Sequence, residues 1–537
     1  MKTDSKRIQM PSRKSEALEF MKGMQTSFES IAQMVTSRAR EIPDRPCVLF
    51  YDQTITYRQL NERANRAANF LKAQGVKKGD IVSLMIMNAP EVYDCMLGIQ
   101  KLGAIAGLIN FALKGPEIAY VLDDAKPSIV FVGSDFMSEF ARGYAAASNK
   151  PVVVEVETKA EHQENLATWT LAGIHATYPS DEALVPQKPE DPFLLVYSSG
   201  TTGKPKGILL SNKGQLSVCR SMSLLGLVEG GDIMLILLPM FHINPICVWS
   251  FPMMYAGQTL CIRTAFSPDD FWTAITENSV TILMGVPAMY NYVYYAIDPG
   301  TVDRQALKLR WAFCGAAPLS VELIKGFKDK FDVDIVEGYG LSEGTGLTSA
   351  NPPLAKRKAG SIGLPVSGQA VEIMDDHLNI LPIGERGEIC VRGDANMVGY
   401  LNRPDATREA LQDGWLRTGD IGRMDEEGYL YIVDRKKDMI NRGGENIYPR
   451  EIEVVLEEVP EITAVAVIGV PDEALGERVK AVIETQKPGI LTADDVKAYL
   501  SDKLAQYKIP EIFDFMDQIP RNPTGKILKK DLRPQGS

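Results

Sequence analysis

Histidine and cysteine are both scarce, 4 and 7 in a chain of 537 residues. The histidines, His162, His175, His242 and His377, lie far apart, and none has the Cys or His spacing of a zinc site, so a structural transition metal is not expected. The cysteines, Cys47, Cys95, Cys219, Cys247, Cys261, Cys314 and Cys390, are odd in number and form no C-x-x-C pair. They read as reduced core residues rather than a disulfide framework. Long apolar runs are missing too. The most apolar stretch, 246–256, contains Ser250 and Pro252 and is too short to span a bilayer, and the opening MKTDSKRIQMPSRK has charge but no apolar centre. No integral membrane segment is expected, and the chain reads as cytoplasmic. Lys and Arg total 58 against 69 Asp and Glu, a net charge of -11, with no basic run long enough to track phosphates. That argues against a nucleic-acid partner.

What is present is globular. Hydrophobic residues make up 45% and charged residues 24%, and the length exceeds what one hydrophobic core supports, so two or more domains are expected. Phe28, Ile31, Ala32, Val35 and Ala39 recur at helical spacing before Pro43, and Leu60, Ala64, Ala67, Ala68 and Leu71 do so before Gly75. Pro90 opens a further helix that Gly103 closes. Short apolar runs at 47–50, 81–87, 129–132, 152–156, 233–238, 281–284, 311–314 and 333–336 read as strands. The alternation predicts an α/β fold: a large layered N-terminal domain of β-sheets flanked by helices. Composition shifts near residue 434, where DRKKDMINRGGENIYP begins. Beyond it a helix (450–458), two β-rich runs (464–470 and 479–484) and a helix (493–504) suffice for a small mobile α+β domain. The expected division is therefore 1–434 and 435–537.

The most informative stretch is YSSGTTGKPKG, residues 197–207, directly after the apolar run 193–196. Its glycines let backbone approach a ligand, its hydroxyls and N–H groups can donate to phosphate oxygens, and Lys204 and Lys206 bring charge. It is not a Walker loop: Ser198 stands where that motif needs its first glycine, and Pro205 follows Lys204 where Ser or Thr is needed. By composition alone, a flexible surface loop explains it equally well.

SSGTTGKPKG is similar to the signature of the adenylate-forming enzymes, the superfamily of acyl-CoA synthetases, luciferases and peptide-synthetase adenylation domains. Further matches follow in that family's order: PMFHINP at Pro239, GAAP at Gly315, GYGLSEGT at Gly338, WLRTGD at Trp415, DRKKDMINRGGENIYP at Asp434 and PRNPTGK at Pro520. The resemblance spans nearly the whole chain and points to the acyl-CoA ligase branch. It implies ATP, Mg2+ and coenzyme A as cofactor and co-substrates, and a small carboxylic acid as the partner; a homodimer is an assembly open to such a chain.

The resemblance also implies roles. ATP or AMP would be held by Ser198, Ser199, Gly200, Thr201, Thr202, Gly203, Lys204 and Lys206 at the phosphates. Gly315, Ala316, Ala317, Glu337, Gly338 and Tyr339 would surround the adenine, Ser342 would turn its hydroxyl to phosphate, and Asp420, Ile432 and Arg435 would lie at the ribose. Glu343, with Thr201, would hold Mg2+, a hard cation that prefers oxygen ligands. Lys526 would neutralise charge where the acid meets the α-phosphate, and His242 would line the acyl pocket beside the thiol path. Lys437 falls at the hinge, and Gly443 and Gly444 on the pantetheine path. Taken singly, Glu343 reads as a surface carboxylate, Tyr339 and His242 as core residues, Asp420 as a turn former and Lys526 as a solvated lysine.

Acyl-pocket candidates are His242, Ile243, Ile246, Trp249, Tyr290 and Gly340, mostly apolar, which suits a fatty, alicyclic or aromatic acid. Gly340 occupies the position where acetate-specific relatives carry an indole, so the acid is expected to be larger than acetate. Few residues follow Lys526, which favours a diffusible thiol, CoA, over a fused carrier. Two other functional classes compete with this reading. Gly340, Ser342 and Gly344 satisfy the G-x-S-x-G of a serine hydrolase, but GTGLTSANPP follows where a helix is required, and the sole downstream histidine, His377, abuts Asp375 and Asp376. A silent binding protein on the same fold is disfavoured by the presence of Glu343, Asp420, Arg435 and Lys526 together.

Overall fold

The structure, a computed structural model, describes residues 24–158, 164–198, 205–315, 319–443, 445–472, 475–521 and 527–533. The first expected helix runs Ile31–Glu41, started by Ser30, whose hydroxyl accepts the Gln33 N–H, and it buries Ile31, Ala32, Val35 and Ala39 as the spacing requires. The second, Tyr57–Ala73, opens on a capping box between Thr56 and Gln59 and ends before Gly75 at φ +83°, a left-handed turn that suits glycine. Its alanine stripe packs against the helix Glu91–Lys101 at very close range. A Cβ added to Gly98 would lie 2.7 Å from the Ala67 Cβ and 2.9 Å from the Ala64 carbonyl oxygen.

Cα packing separates two compact units. One holds the described residues up to Val371 together with Val391–Leu416; the other holds Glu372–Cys390 and the described residues from Arg417 onward. The boundary read at residue 434 falls inside the second unit.

The first unit carries two large sheets. One has eight strands in the order Gly399–Tyr400, Gly207–Ser211, Pro192–Tyr197, Ile105–Leu108, Ile81–Met85, Ile129–Gly133, Val152–Val156, Trp169–Thr170. Its strands from Pro192–Tyr197 onward pair in parallel, and the two at the other edge join antiparallel. The second sheet has nine strands. At its centre Thr259–Ile262, Ile233–Ile236, Ile282–Gly285, Trp311–Cys314 and Ile335–Tyr339 run parallel. These central strands are continuous apolar runs, as strands covered on both faces must be. The helices Pro268–Glu277, Pro287–Ala296 and Val321–Phe331 contribute Phe271, Trp272, Ile275, Val293, Phe327 and Phe331 to a core with Leu235, Leu283 and Ala312.

In the second unit, Ile462–Asp472 and Gly476–Thr485 form a long antiparallel pair, and Ile512–Met516 adds in parallel. Val465, Val467, Val479, Ala481 and Ile483 alternate toward one face, where Ile452 and Leu456 of helix Pro449–Glu457 and Val496 and Leu500 of helix Ala493–Ser501 cover them. This is the expected α+β arrangement. All seven cysteines are free and buried. Among the described residues, no helix is long and apolar enough to cross a membrane.

Candidate active site

The strands that flank the candidate cradle motif form an antiparallel pair. Pro192–Tyr197 meets Gly207–Ser211 with Tyr197 opposite Gly207, and the Ser198 N–H donates to the Lys206 carbonyl at 3.0 Å. Ser199, Gly200, Thr201, Thr202, Gly203 and Lys204 lie outside the described residues. Three residues without a motif hold the chain on either side of the undescribed segment. Tyr120 donates its hydroxyl to the Pro205 carbonyl at 2.8 Å, Asp124 accepts from the Tyr197 hydroxyl at 3.0 Å, and Arg403 bridges Tyr120 and Asp124.

The strand Gly399–Tyr400 extends this pair, with Tyr400 opposite Ile208 and the Leu401 N–H on the Gly207 carbonyl. The Lys206 ammonium lies 5.0 Å from the Tyr400 ring centroid, and the Tyr400 hydroxyl donates to Glu343 Oε1 at 2.9 Å. Burial, then the charge of Glu343, holds the Tyr400 phenol well above its ordinary value, so it remains a donor at neutral pH. Glu343 itself sits in a single 3-10 turn, Ser342–Gly344, after which Thr345 takes a left-handed φ of 54°. No α-helix follows Ser342, so the nucleophile elbow of a serine hydrolase is not built here. Downstream, the His377 N–H closes a tight turn on Asp375.

The parallel strands Trp311–Cys314 and Ile335–Tyr339 end side by side, and the carboxyl ends of such strands are where open α/β sheets take ligands. Gly315, Gly338 and Tyr339 stand at these ends. A Cβ on Gly315 would lie 3.3 Å from the Gly338 carbonyl oxygen, and one on Gly338 would lie 2.2 Å from the tip of the Phe313 ring. A side chain at 338 would have to displace the buried Phe313 ring. Ala316 and Ala317 lie outside the described residues. The Glu337 carboxylate lies 3.3 Å from the Gly360 N–H, and burial pushes its carboxyl up to about 7. Among the described residues no group of three or more His, Cys, Asp or Glu could hold a metal. Glu343 nevertheless fits Mg2+. It is a hard oxygen donor with Oε1 fixed by Tyr400, and Mg2+ is commonly bound by one or two carboxylates, with phosphates and water completing its shell.

The segment bearing His242 is clamped by a residue that no motif marks. Asn88, fully buried, donates to the Leu238 and Arg263 carbonyls and accepts the Met240 N–H at 2.8 Å. Burial pulls the His242 imidazole down to about 4, so it is neutral at pH 7. After it, Asn244–Ser250 winds as a π-helix, a form concentrated at functional sites. Trp249 from this turn meets Phe313 edge-on at 5.1 Å, and Ile243 and Val248 face Gly346.

Two expected acyl-pocket residues are placed otherwise. Tyr290 is a core residue: its hydroxyl donates to the Phe313 carbonyl at 2.7 Å and its ring packs on Phe327. At Gly340, a Cβ would come 2.2 Å from the Gly346 carbonyl oxygen and 2.8 Å from the Leu347 nitrogen. The space into which a side chain at Gly340 would project is therefore filled by backbone, not open to an acyl chain. Ile246 is fully buried within the π-helix.

On the second unit, Asp420 and Arg435 are opposite each other across the strands Trp415–Met424 and Leu430–Arg435, and Ile432 pairs with Gly422. Lys437 lies in the turn Lys436–Asp438 that follows. Its neighbour Lys436 bonds Glu388, as does Arg417, and these contacts hold the Glu388 carboxyl below its ordinary value against burial. Gly443 adopts φ +60° and donates to the Leu475 carbonyl at 2.7 Å. Gly444 and Lys526 lie outside the described residues.

Known proteins resemble this chain over nearly its full length. The AMP-binding enzyme family matches residues 35–401, and the AMP-binding enzyme C-terminal domain matches residues 451–526. The chain is 38% identical to the long-chain-fatty-acid–CoA ligase FadD13 of Mycobacterium tuberculosis, over 90% of this chain and 94% of that one. It is 34% identical to a feruloyl-CoA synthase of Amycolatopsis, over 92% and 97%. Among solved structures, ATP-bound MatB from Rhodopseudomonas palustris superposes with TM-score 0.86 at 28% identity, over 94% of this chain and 98% of that one. The o-succinylbenzoate-CoA synthetase MenE of Bacillus subtilis, with ATP and magnesium ion, gives 0.81 at 28% identity, over 93% and 98%.

Proposed function

Because this chain belongs to the AMP-binding enzyme family, we propose that the residues brought together around Glu343 and Lys206 receive the phosphates of ATP, and that Asp420 and Arg435 receive its ribose. The protein is an ATP-dependent carboxylic acid:CoA ligase, an AMP-forming acyl-CoA synthetase using ATP, Mg2+ and CoA. A carboxylate oxygen attacks the α-phosphorus of ATP and pyrophosphate leaves. The CoA sulfur then attacks the acyl carbonyl, AMP leaves, and the thiol proton is released. Mg2+, when bound, supplies positive charge at the phosphates as pyrophosphate departs. Glu343 would hold the Mg2+, Lys206 and Ser198 border the cradle, and Lys526 would bring its ammonium to the reacting carboxylate. Neutral His242 borders the acyl group without placing a charge beside it.

The acid is an apolar one, fatty or aromatic and larger than acetate. Ile243, Val248, Trp249 and Phe313 support this reading, since they offer hydrocarbon and aromatic faces. Residues 435–537 turn about Lys437 between the half-reactions, and the short turn Lys436–Asp438 between two strands is a suitable pivot. The composition and the seven buried thiols favour the cytoplasm.

The observation that carries the reading is Tyr400 in contact with both the Glu343 carboxylate and the Lys206 ammonium. Acid-dependent pyrophosphate exchange and CoA thioester formation, measured over acids of graded length and ring content, test it. Wild-type protein should support both, and Glu343→Gln should lose the exchange by on the order of a hundredfold. Wild-type protein with neither activity on any acid overturns it.

A further inference from the structure

Tyr400 belongs to no motif read from the sequence, yet its side chain touches both charged ends of the phosphate site. Its hydroxyl donates to Glu343 Oε1 at 2.9 Å, and its ring lies 5.0 Å beneath the Lys206 ammonium. Its backbone is tied on the same two sides. The Leu401 N–H donates to the Gly207 carbonyl at 2.7 Å, and the Val398 N–H to the Leu209 carbonyl at 2.8 Å, so the segment is strapped to the strand that leaves the cradle. Toward Glu343, the Met397 N–H donates to the Glu343 carbonyl at 2.7 Å, and the Thr345 hydroxyl donates to the Ala395 carbonyl at 2.5 Å. Residues 395–401 thus act as a ruler between the cradle and the turn carrying the carboxylate, with Tyr400 as its side-chain contact.

A carboxylate on a one-turn helix would otherwise sample several rotamers, and ordering it only on binding costs free energy that weakens the complex. A hydrogen bond to one oxygen fixes the plane of the group and leaves the second oxygen as the donor to a cation. Among the described residues, Tyr400 is the one side chain that bonds Glu343. The cation–π contact with Lys206 sets the cradle's charge at a fixed separation from that carboxylate.

We propose that Tyr400 is the positioning residue for the metal-binding carboxylate: it orients Glu343 for the Mg2+ that accompanies ATP and couples that orientation to Lys206. The proposal rests on the reading of this region as the ATP-phosphate site.

The test compares calorimetric binding of ATP with Mg2+ and of ATP with EDTA to wild type, Tyr400→Phe, Glu343→Gln and the double variant. Tyr400→Phe keeps the ring, and with it the contact to Lys206, while removing the hydroxyl. It should weaken MgATP binding about tenfold, the size expected for a hydrogen bond to a charged group, and leave metal-free ATP binding unchanged. In the Glu343→Gln background the same substitution should change MgATP binding less than twofold, because the hydroxyl acts through the carboxylate. Tyr400→Leu removes the ring too and should also weaken metal-free ATP. Should Tyr400→Phe not fold, 3-fluorotyrosine at position 400, nearly isosteric, gives a fluorine resonance that should shift with MgATP more than with ATP and EDTA.

Equal losses for MgATP and metal-free ATP, no loss at all, full effect of the hydroxyl without Glu343, or identical fluorine shifts would each overturn the role of Tyr400. Wild-type protein that binds neither form of ATP would instead overturn the site reading on which it rests.

Discussion

Asp420 and Arg435 are register partners in an antiparallel ladder, and the Arg435 Nε lies 2.8 Å from Asp420 Oδ1. The carboxylate is buried while the guanidinium side chain is 42% exposed, so Asp420 is presented by a strand with its charge already half-compensated. Asp420→Ala should cut ATP affinity by on the order of a hundredfold through the loss of two charge-assisted hydrogen bonds to the ribose. Arg435 can turn to water, so the fold should survive. Calorimetry decides, and unchanged affinity in a folded variant sinks the ribose assignment.

Gly340→Ala should damage the protein for every acid alike. The added methyl meets the backbone of Gly346 and Leu347 rather than a side chain that could move aside. A loss of thermal stability together with activity on all acids is expected. A stable variant with a changed chain-length profile would restore Gly340 to the pocket wall.

Glu337 gives a stability signature with a defined sign. Its folded carboxyl sits at about 7 against an ordinary 4.5, because of burial. Between those values the folded protein binds a proton that the unfolded chain has released, so this group's contribution falls as pH rises from 4.5 through 7. Glu337→Gln should therefore leave stability unchanged near pH 4.5 and raise it by on the order of 2 kcal/mol above pH 7. Urea unfolding at the two pH values checks this; equal increments at both would contradict it.

His242 has the opposite slope. Its imidazole is held at about 4 against an ordinary 6.5 by burial, so as pH falls through 6.5 the unfolded chain takes up the proton first. Stability is full above 6.5 and is lost progressively down to 4. His175, also depressed to about 4, adds to the same window. His242→Gln should flatten the acid side of the stability profile, which unfolding titrations between pH 4 and 7 measure. An unaltered slope would place His242 in water.

Much of this architecture was legible in sequence because it rests on local rules. The stripe from Leu60 to Leu71 and the capping at Thr56 belong to one helix, and strand runs such as 152–156 match their observed limits, Val152–Val156. Asp420 and Arg435 were legible only through family motifs. Tyr400, Asn88 and Tyr120 were not legible at all. Each acts on a residue brought near by the fold, with 57 residues separating Tyr400 from Glu343 and 152 separating Asn88 from Met240, and no spacing rule reaches that far. Gly340 shows the converse limit. A motif position carries a residue type but not the direction in which the missing side chain would have pointed.

The π-helix Asn244–Ser250 has a consequence for how substrate range could change. A π-helical turn inside a helix amounts to one residue more than an α-helix would hold, kept in place here by the Phe251 N–H reaching back to the Ile246 carbonyl. Removing a single residue from this turn would let it wind as an ordinary helix into Phe251–Tyr255, rotating Trp249 and Val248 away from Phe313 and Gly346 and presenting their neighbours instead. Deletion, a change that scanning by substitution never samples, is thus the mutation class to which this segment is most sensitive.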